Sequence, residues 1–175
     1  MIPKECIHFS KANRLVKEFV NSVANIPTCS YEVRTSRSKR VTYAVIGYIE
    51  DDEITILIPN WKKVDFSKDD GGKAFRKDFV NRFPSARGFS DVTLSLLHEI
   101  GHTMTKAFVP PMNDEIDEYN AKVQNLEMCD VYPLYFALTD ERMATDWAIN
   151  WLKNAENRKL AKKFEKKFST CFVKG

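Results

Sequence analysis

No apolar run in this chain approaches the roughly 20 residues that a membrane-crossing helix requires. A bilayer span is therefore not expected. The N-terminus, M-I-P-K-E-C-I-H-F-S, lacks the apolar core that marks a secretory signal. Cysteine is sparse: Cys6, Cys29, Cys129 and Cys171 lie far apart and form no C-x-x-C pair, which points to reduced thiols and not a disulfide frame. Together these absences predict a cytoplasmic protein without a membrane partner. A net charge of only +3 does not by itself favour a nucleic-acid partner. No internal repeat or low-complexity segment breaks the pattern. With 175 residues, 43% of them apolar, the chain can bury one real core, so a single domain over 1–175 is expected.

Histidine is scarce as well, with three in the chain, yet two of them fall in one short stretch. Residues 90–108 read S-D-V-T-L-S-L-L-H-E-I-G-H-T-M-T-K-A-F. An α-helical turn takes about 3.6 residues, so His98 and His102 lie on one face of a helix, with Glu99 beside them. This is the H-E-x-x-H pattern, in which two imidazoles converge on a metal ion and the Glu serves as general base. The surroundings agree with the motif. Ser90 or Asp91 can cap the helix, and Val92, Leu94, Leu97, Ile100, Met104 and Phe108 supply a face to bury. The bland alternative is a pair of core histidines that happen to fall four apart.

Catalytic zinc takes three protein ligands and leaves one position open. A third histidine in an extended H-E-x-x-H-x-x-G-x-x-H run is excluded, because Thr105 and Phe108 occupy those positions. His8 is the one remaining histidine, and it lies in an unpatterned N-terminus. By chemistry alone Glu115, Asp117, Glu118, Glu127, Asp130, Asp140 and Glu141 are all eligible. Glu141 is best placed, because Ala144 and Ala148 share its helical face and let that helix approach the histidine helix closely. The alternative for Glu141 is an exposed carboxylate favoured by the helix dipole.

The pair S-L-L-H-E-I-G-H and E-R-M-A-T-D-W-A-I-N-W-L resembles the zinc peptidases of the ImmA/IrrE kind, found in bacterial and phage regulatory proteins and belonging to the broader gluzincin group. The resemblance implies His98, His102 and Glu141 as zinc ligands, Glu99 as the base, and Ala144, Trp147 and Ala148 as packing positions. Met143 and Thr145 stand where that family often has Glu and Asn. The resemblance also implies an α+β fold: a mainly helical, zincin-like domain with a small antiparallel sheet and the H-E-x-x-H helix. Its function would be zinc-dependent hydrolysis of a peptide bond in a protein or peptide substrate, such as a repressor. Tyr119, Tyr132, Tyr135 and Arg142 are candidates to steady the oxyanion. A binding module holding a silent metal is the alternative.

The remaining segments read as support. Residues 11–25 form an amphipathic helix, with Ser10 as its cap and Leu15, Val16, Phe19, Val20, Val23 and Ile26 inward. Residues 41–49 and 53–59 are rich in Val, Ile and Thr around Asp51-Asp52 and predict a β-hairpin, whose open edge is a place for a substrate strand to add. Residues 31–40, with Arg34, Arg37, Lys39 and Arg40, read as a strand running into an exposed loop or as a solvated loop throughout, with an anionic partner as the alternative. Asp69-Asp70-Gly71-Gly72 is read as a turn leading into a helix over 73–83. A helix over 113–127 is expected to turn Ile116, Tyr119, Val123 and Leu126 inward. Residues 139–152 form an amphipathic helix. The Lys-rich segment 157–168 is read first as the solvated face of a docked helix, with an acidic partner or a membrane face as the alternative.

Overall fold

The computed structural model describes residues 8–24, 31–36, 45–49, 53–59 and 70–171. Seven α-helices are present among them: α1 (Phe9–Ala24), α2 (Asp70–Arg82), α3 (Asp91–Thr105), α4 (Asn113–Val123), α5 (Met128–Tyr135), α6 (Thr139–Lys153) and α7 (Ala155–Ser169). Three strands complete them: β1 (Tyr31–Ser36), β2 (Val45–Ile49) and β3 (Glu53–Pro59). No helix among the described residues is long and apolar enough to cross a membrane. The chain divides into two compact units, Met1–Lys68 with Asn154–Gly175, and Asp69–Lys153.

In the first unit, β3 is the middle strand of the order β1-β3-β2. The hairpin expected from the Val/Ile/Thr runs is there, since β2 pairs antiparallel with β3 from Val45↔Leu57 to Ile49↔Glu53. The expected α+β fold with a small antiparallel sheet is nevertheless corrected. Helix dominates the described residues, and the strands form a mixed sheet, because β1 lies parallel to β3 from Tyr31↔Ile54 to Ser36↔Pro59. Residue periodicity marks a strand but not its neighbour, and here β1 takes the far flank of β3 instead of joining β2. Both flanks of β3 are thereby paired, so of the hairpin only β2 keeps an open edge among the described residues. Arg34 lies in β1, whereas Arg37, Lys39, Arg40, Asp51 and Asp52 fall outside the described residues.

The same unit pairs α1 with α7. Ala12, Leu15, Val16, Phe19 and Val20 are buried on α1, and Ala161, Phe164 and Phe168 on α7. Phe19 stacks on Phe164 with centroids 4.4 Å apart. The His8 amide donates to the Cys171 carbonyl (3.3 Å) and Lys11 Nζ to Thr170 Oγ1 (2.9 Å), so the two helices run antiparallel. Ser10 lies inside α1 and does not cap it. Asn154 caps α7 by accepting from the amides of Glu156 and Asn157.

The second unit is helical throughout. Helix α2 begins at Asp70, three residues earlier than periodicity suggests, and takes in both glycines. An acidic first turn suits the helix dipole. Gly71 lies under the Tyr132 ring, where an added Cβ would come within 3.0 Å of Cζ. Arg76 then ties α2 to the start of α3, donating to the carbonyls of Arg87 and Phe89 and to Asp91 at 2.6 Å. Ser90 caps α3 as expected, its Oγ accepting from the Thr93 amide at 3.3 Å.

Helix α3 is buried nearly all round for its first three turns. Leu94, Leu96, Leu97 and Ile100 have no exposed surface, and each such side chain contributes about 1.5–3 kcal/mol by leaving water. The apolar face does not continue as far as expected. The α-helix stops at Thr105, Met104 is 37% exposed and Phe108 is 76% exposed. Likewise the helix expected over 113–127 stops at Val123, and Ile116 and Leu126 are exposed.

The closest helix contact lies between α3 and α6. A Cβ added to Gly101 would collide with the Ala144 carbonyl oxygen and lie 2.9 Å from Ala144 Cα. Ala144 and Ala148 are fully buried. Three small residues therefore let the two backbones touch. Gly101→Ala is expected to force the helices apart and to destabilise the protein by about 1–3 kcal/mol despite its better helix propensity. Denaturant unfolding of the variant measures this, and unchanged stability would show that the contact is not tight.

Candidate metal centre

Three side chains meet at the α3–α6 contact. His98 and His102 come from successive turns of α3, and Glu141 from the first turn of α6, 43 residues beyond His98. Their ligand atoms all lie within 4.8 Å of one another. His98 Nε2 is 3.0 Å from Glu141 Oε2 and 3.2 Å from His102 Nε2. His102 Nε2 is 3.5 Å from Glu141 Oε1. Tetrahedral coordination with bonds of about 2.0–2.1 Å places neighbouring ligand atoms about 3.3 Å apart. The three separations scatter around that value, so the residues fit a small divalent cation. The fit concerns geometry and donor type and does not select zinc over other metals.

Electrostatics at the site are those of donors held together away from water. Burial drives the His98 pKa below its ordinary value, and the His102 charge adds to the effect, against the pull of Glu141. Burial also acts to lower His102, but its hydrogen bond to Glu141 and the negative charge there outweigh it and raise the pKa. For Glu141 burial favours the neutral acid, yet hydrogen bonds with His102 and His98 carry its pKa well below the carboxylate range. Without a cation, the cluster is a carboxylate sharing protons with two imidazoles. Two Nε2 atoms at 3.2 Å leave room for one hydrogen between them.

A second ring of contacts orients the donors. His98 Nδ1 faces Thr145 Oγ1 at 2.9 Å. A proton on Nδ1, donated to that hydroxyl, would leave the Nε2 lone pair for a bound cation. Phe75 packs edge-on against His98 with centroids 5.2 Å apart, and Phe136 closes over Phe75. The Tyr135 hydroxyl is hydrogen-bonded to Glu141; burial first, and then the Glu141 charge, raise its pKa, so it stays protonated. Glu99 stands at the edge of the group, partly open to solvent. Burial pushes it up to about 8, against the charge of His102.

Other candidates have other duties. Glu115 accepts from the Thr139 amide at 2.9 Å and so caps the start of α6. Asp140 accepts from the Glu141 amide at 2.8 Å. Asp117, Glu118, Glu127 and Asp130 are exposed, as is His8 in the first unit. Tyr132 covers Gly71. Tyr119 packs edge-on against Tyr135 at 6.4 Å. Arg142 lines a separate cavity with Arg82, Asp78 and Asp146, in which Arg82 pairs with both acids. Thr145, Phe75 and Gly101 are the contributors that the motif alone did not reveal. Thr145 was within reach of pattern reasoning, since it lies four residues after Glu141 on the same helical face.

No protein-family model, curated protein or solved structure matches the chain. The site therefore rests on its own geometry.

Thr145 is expected to set the tautomer of His98. Thr145→Val, which keeps the shape and removes the hydroxyl, should weaken divalent-metal binding by about 10–100-fold. Thr145→Ser should restore most of it. Competition against a chelator of known affinity reads the difference; equal affinities for all three proteins would remove Thr145 from the site.

Proposed function

We propose that this chain is a zinc-dependent peptidase of the gluzincin kind, similar in its motif to the ImmA/IrrE proteins, acting in the cytoplasm on a protein or peptide substrate. The observation that carries this reading is the convergence of His98, His102 and Glu141 at separations suited to one cation, with Glu99, the residue after His98, feeling the charges of His102 and Glu141. A structural role for the cluster would need no such carboxylate, because a scaffold has no use for a base.

A bound divalent cation supplies Lewis-acid polarisation and acidifies water. The rest belongs to the chain. His98, His102 and Glu141 would hold the cation, and Thr145 would keep one imidazole in the right tautomer. Glu99, in its carboxylate form, would accept a proton from the attacking water and pass it to the departing amine. Tyr135 is the best placed of the four oxyanion candidates: it stays protonated beside Glu141 and offers an O–H to charge that develops there. Arg142, in its own cavity, is not.

Two comparisons test the assignment. Glu99→Gln should retain stoichiometric zinc by elemental analysis yet lower hydrolysis of an unfolded protein by about 10²–10⁴-fold. His98→Ala should lose the metal itself. Equal metal loss in both would contradict the roles given to them. Glu141→Ala should weaken zinc binding by more than the roughly 10–100-fold typical of an orienting contact, while Asp140→Ala stays near wild type. Like behaviour of those two variants would mean that the third ligand lies elsewhere.

A further inference from the structure

The first unit carries charge that the metal centre does not explain. Helix α7 holds Arg158, Lys159, Lys162, Lys163, Lys166 and Lys167 against Glu156 and Glu165, a net of +4. Helix α1 holds Lys11, Arg14 and Lys17 against Glu18, a net of +2. The whole chain is only +3, so these two packed helices exceed it and leave the remaining residues at −3.

The lysines are also arranged. Lys159, Lys162, Lys163, Lys166 and Lys167 recur at spacings of three and four, which places them on one face of α7. That face lies opposite the buried Ala161, Phe164 and Phe168. The arrangement is costly within the helix. Lys159 and Lys163, Lys162 and Lys166, and Lys163 and Lys167 are like-charge pairs four apart, each of which destabilises a helix. Glu156 and Glu165 relieve Lys159 and Lys162, at 2.7 and 2.9 Å. Lys163, Lys166 and Lys167 have no ion-pair partner among the described residues. The helix dipole favours cations in the last turn, which accounts for Lys166 and Lys167 but does not reach Lys159, Lys162 or Lys163. A surface needed only for solubility is better served by mixed signs.

The same two helices restrict the partner. A membrane-surface helix needs a free apolar face to sink between headgroups. In α7 that face is already used, stacked against α1 through Phe164 and Phe19. No described side chain of either helix offers an exposed ring, so stacking of single-stranded bases has no platform. What is left is a rigid, exposed row of cations, complementary to a regular row of phosphates.

We propose that the lysine face of α7 is a docking surface for the phosphate backbone of double-stranded nucleic acid, bound without sequence preference. The contacts are electrostatic and displace condensed counterions, so affinity depends steeply on salt. The surface is independent of the metal centre and does not require that the chain be a peptidase.

The test is fluorescence anisotropy of a short labelled DNA duplex with the full chain, between about 50 and 200 mM salt. Binding is expected at the low end, with log K falling linearly against log salt at about −0.9 per phosphate contacted. The triple variant Lys163→Glu, Lys166→Glu, Lys167→Glu should bind at least tenfold more weakly, with a slope shallower by about 2.7. The corresponding triple Gln variant, which introduces no repulsion and keeps good helix formers, should show the same loss of slope. Absence of duplex binding by the wild type at low salt would overturn the proposal. So would an unchanged slope in both variants, or lysine-dependent binding to phosphatidylserine vesicles without binding to the duplex.

Discussion

The contact between the backbones of α3 and α6 is the constraint on which the candidate site depends. Gly101 has no side chain, and the Ala144 backbone fills the place where one would be. Two helices brought this close can share an ion between side chains of ordinary length. A wider separation would leave Glu141 short of the imidazoles, and the cluster would become a buried acid facing two bases across a gap. Burial of Leu94, Leu96, Leu97 and Ile100 holds α3 in place while this happens. The apolar packing and the polar chemistry are therefore one design, with the small residues joining them.

The cost of that design is visible in the charges. Glu141, His98 and Thr145 are almost fully buried, where an unpaired polar group is expensive. Each has a partner: Glu141 is met by both imidazoles and Tyr135, and His98 by Thr145. Glu99 is different. Burial raises its pKa to about 8, outweighing the charge of His102 that acts to lower it. Groups whose ionisation is pushed in opposite directions in one electrostatically linked cluster are a common mark of a chemical site.

Much of the site was legible before the structure because its central part is local. The spacing of His98 and His102 is set by helix geometry alone, and Ser90 marks where that helix starts. Glu141 lies far along the chain, but Ala144 and Ala148 reveal which face of its helix can come near another. Thr145 was harder to see, since a threonine among small residues looks like packing until a ring nitrogen is found opposite it. Gly101 sits at a variable position of the motif, and its use depends on what the other helix brings. Where pairing is non-local, pattern reasoning failed. It found β2 and β3 as a hairpin but gave no means of seeing that β1 would lie parallel to β3. It also took Met104, Phe108, Ile116 and Leu126 as buried from their spacing, although spacing says which residues share a face and not whether anything covers it.

The two units differ in how the chain is laid into them. All three donor residues, and the helices carrying them, lie within the continuous segment Asp69–Lys153, whereas the first unit joins segments from either side of it. On a nascent chain, every ligand emerges from the ribosome before α7 does. Helix α1 meanwhile lacks the Phe164 ring that stacks on Phe19 until α7 arrives. The metal-binding segment can thus mature first, and the helix pair is sealed only afterwards.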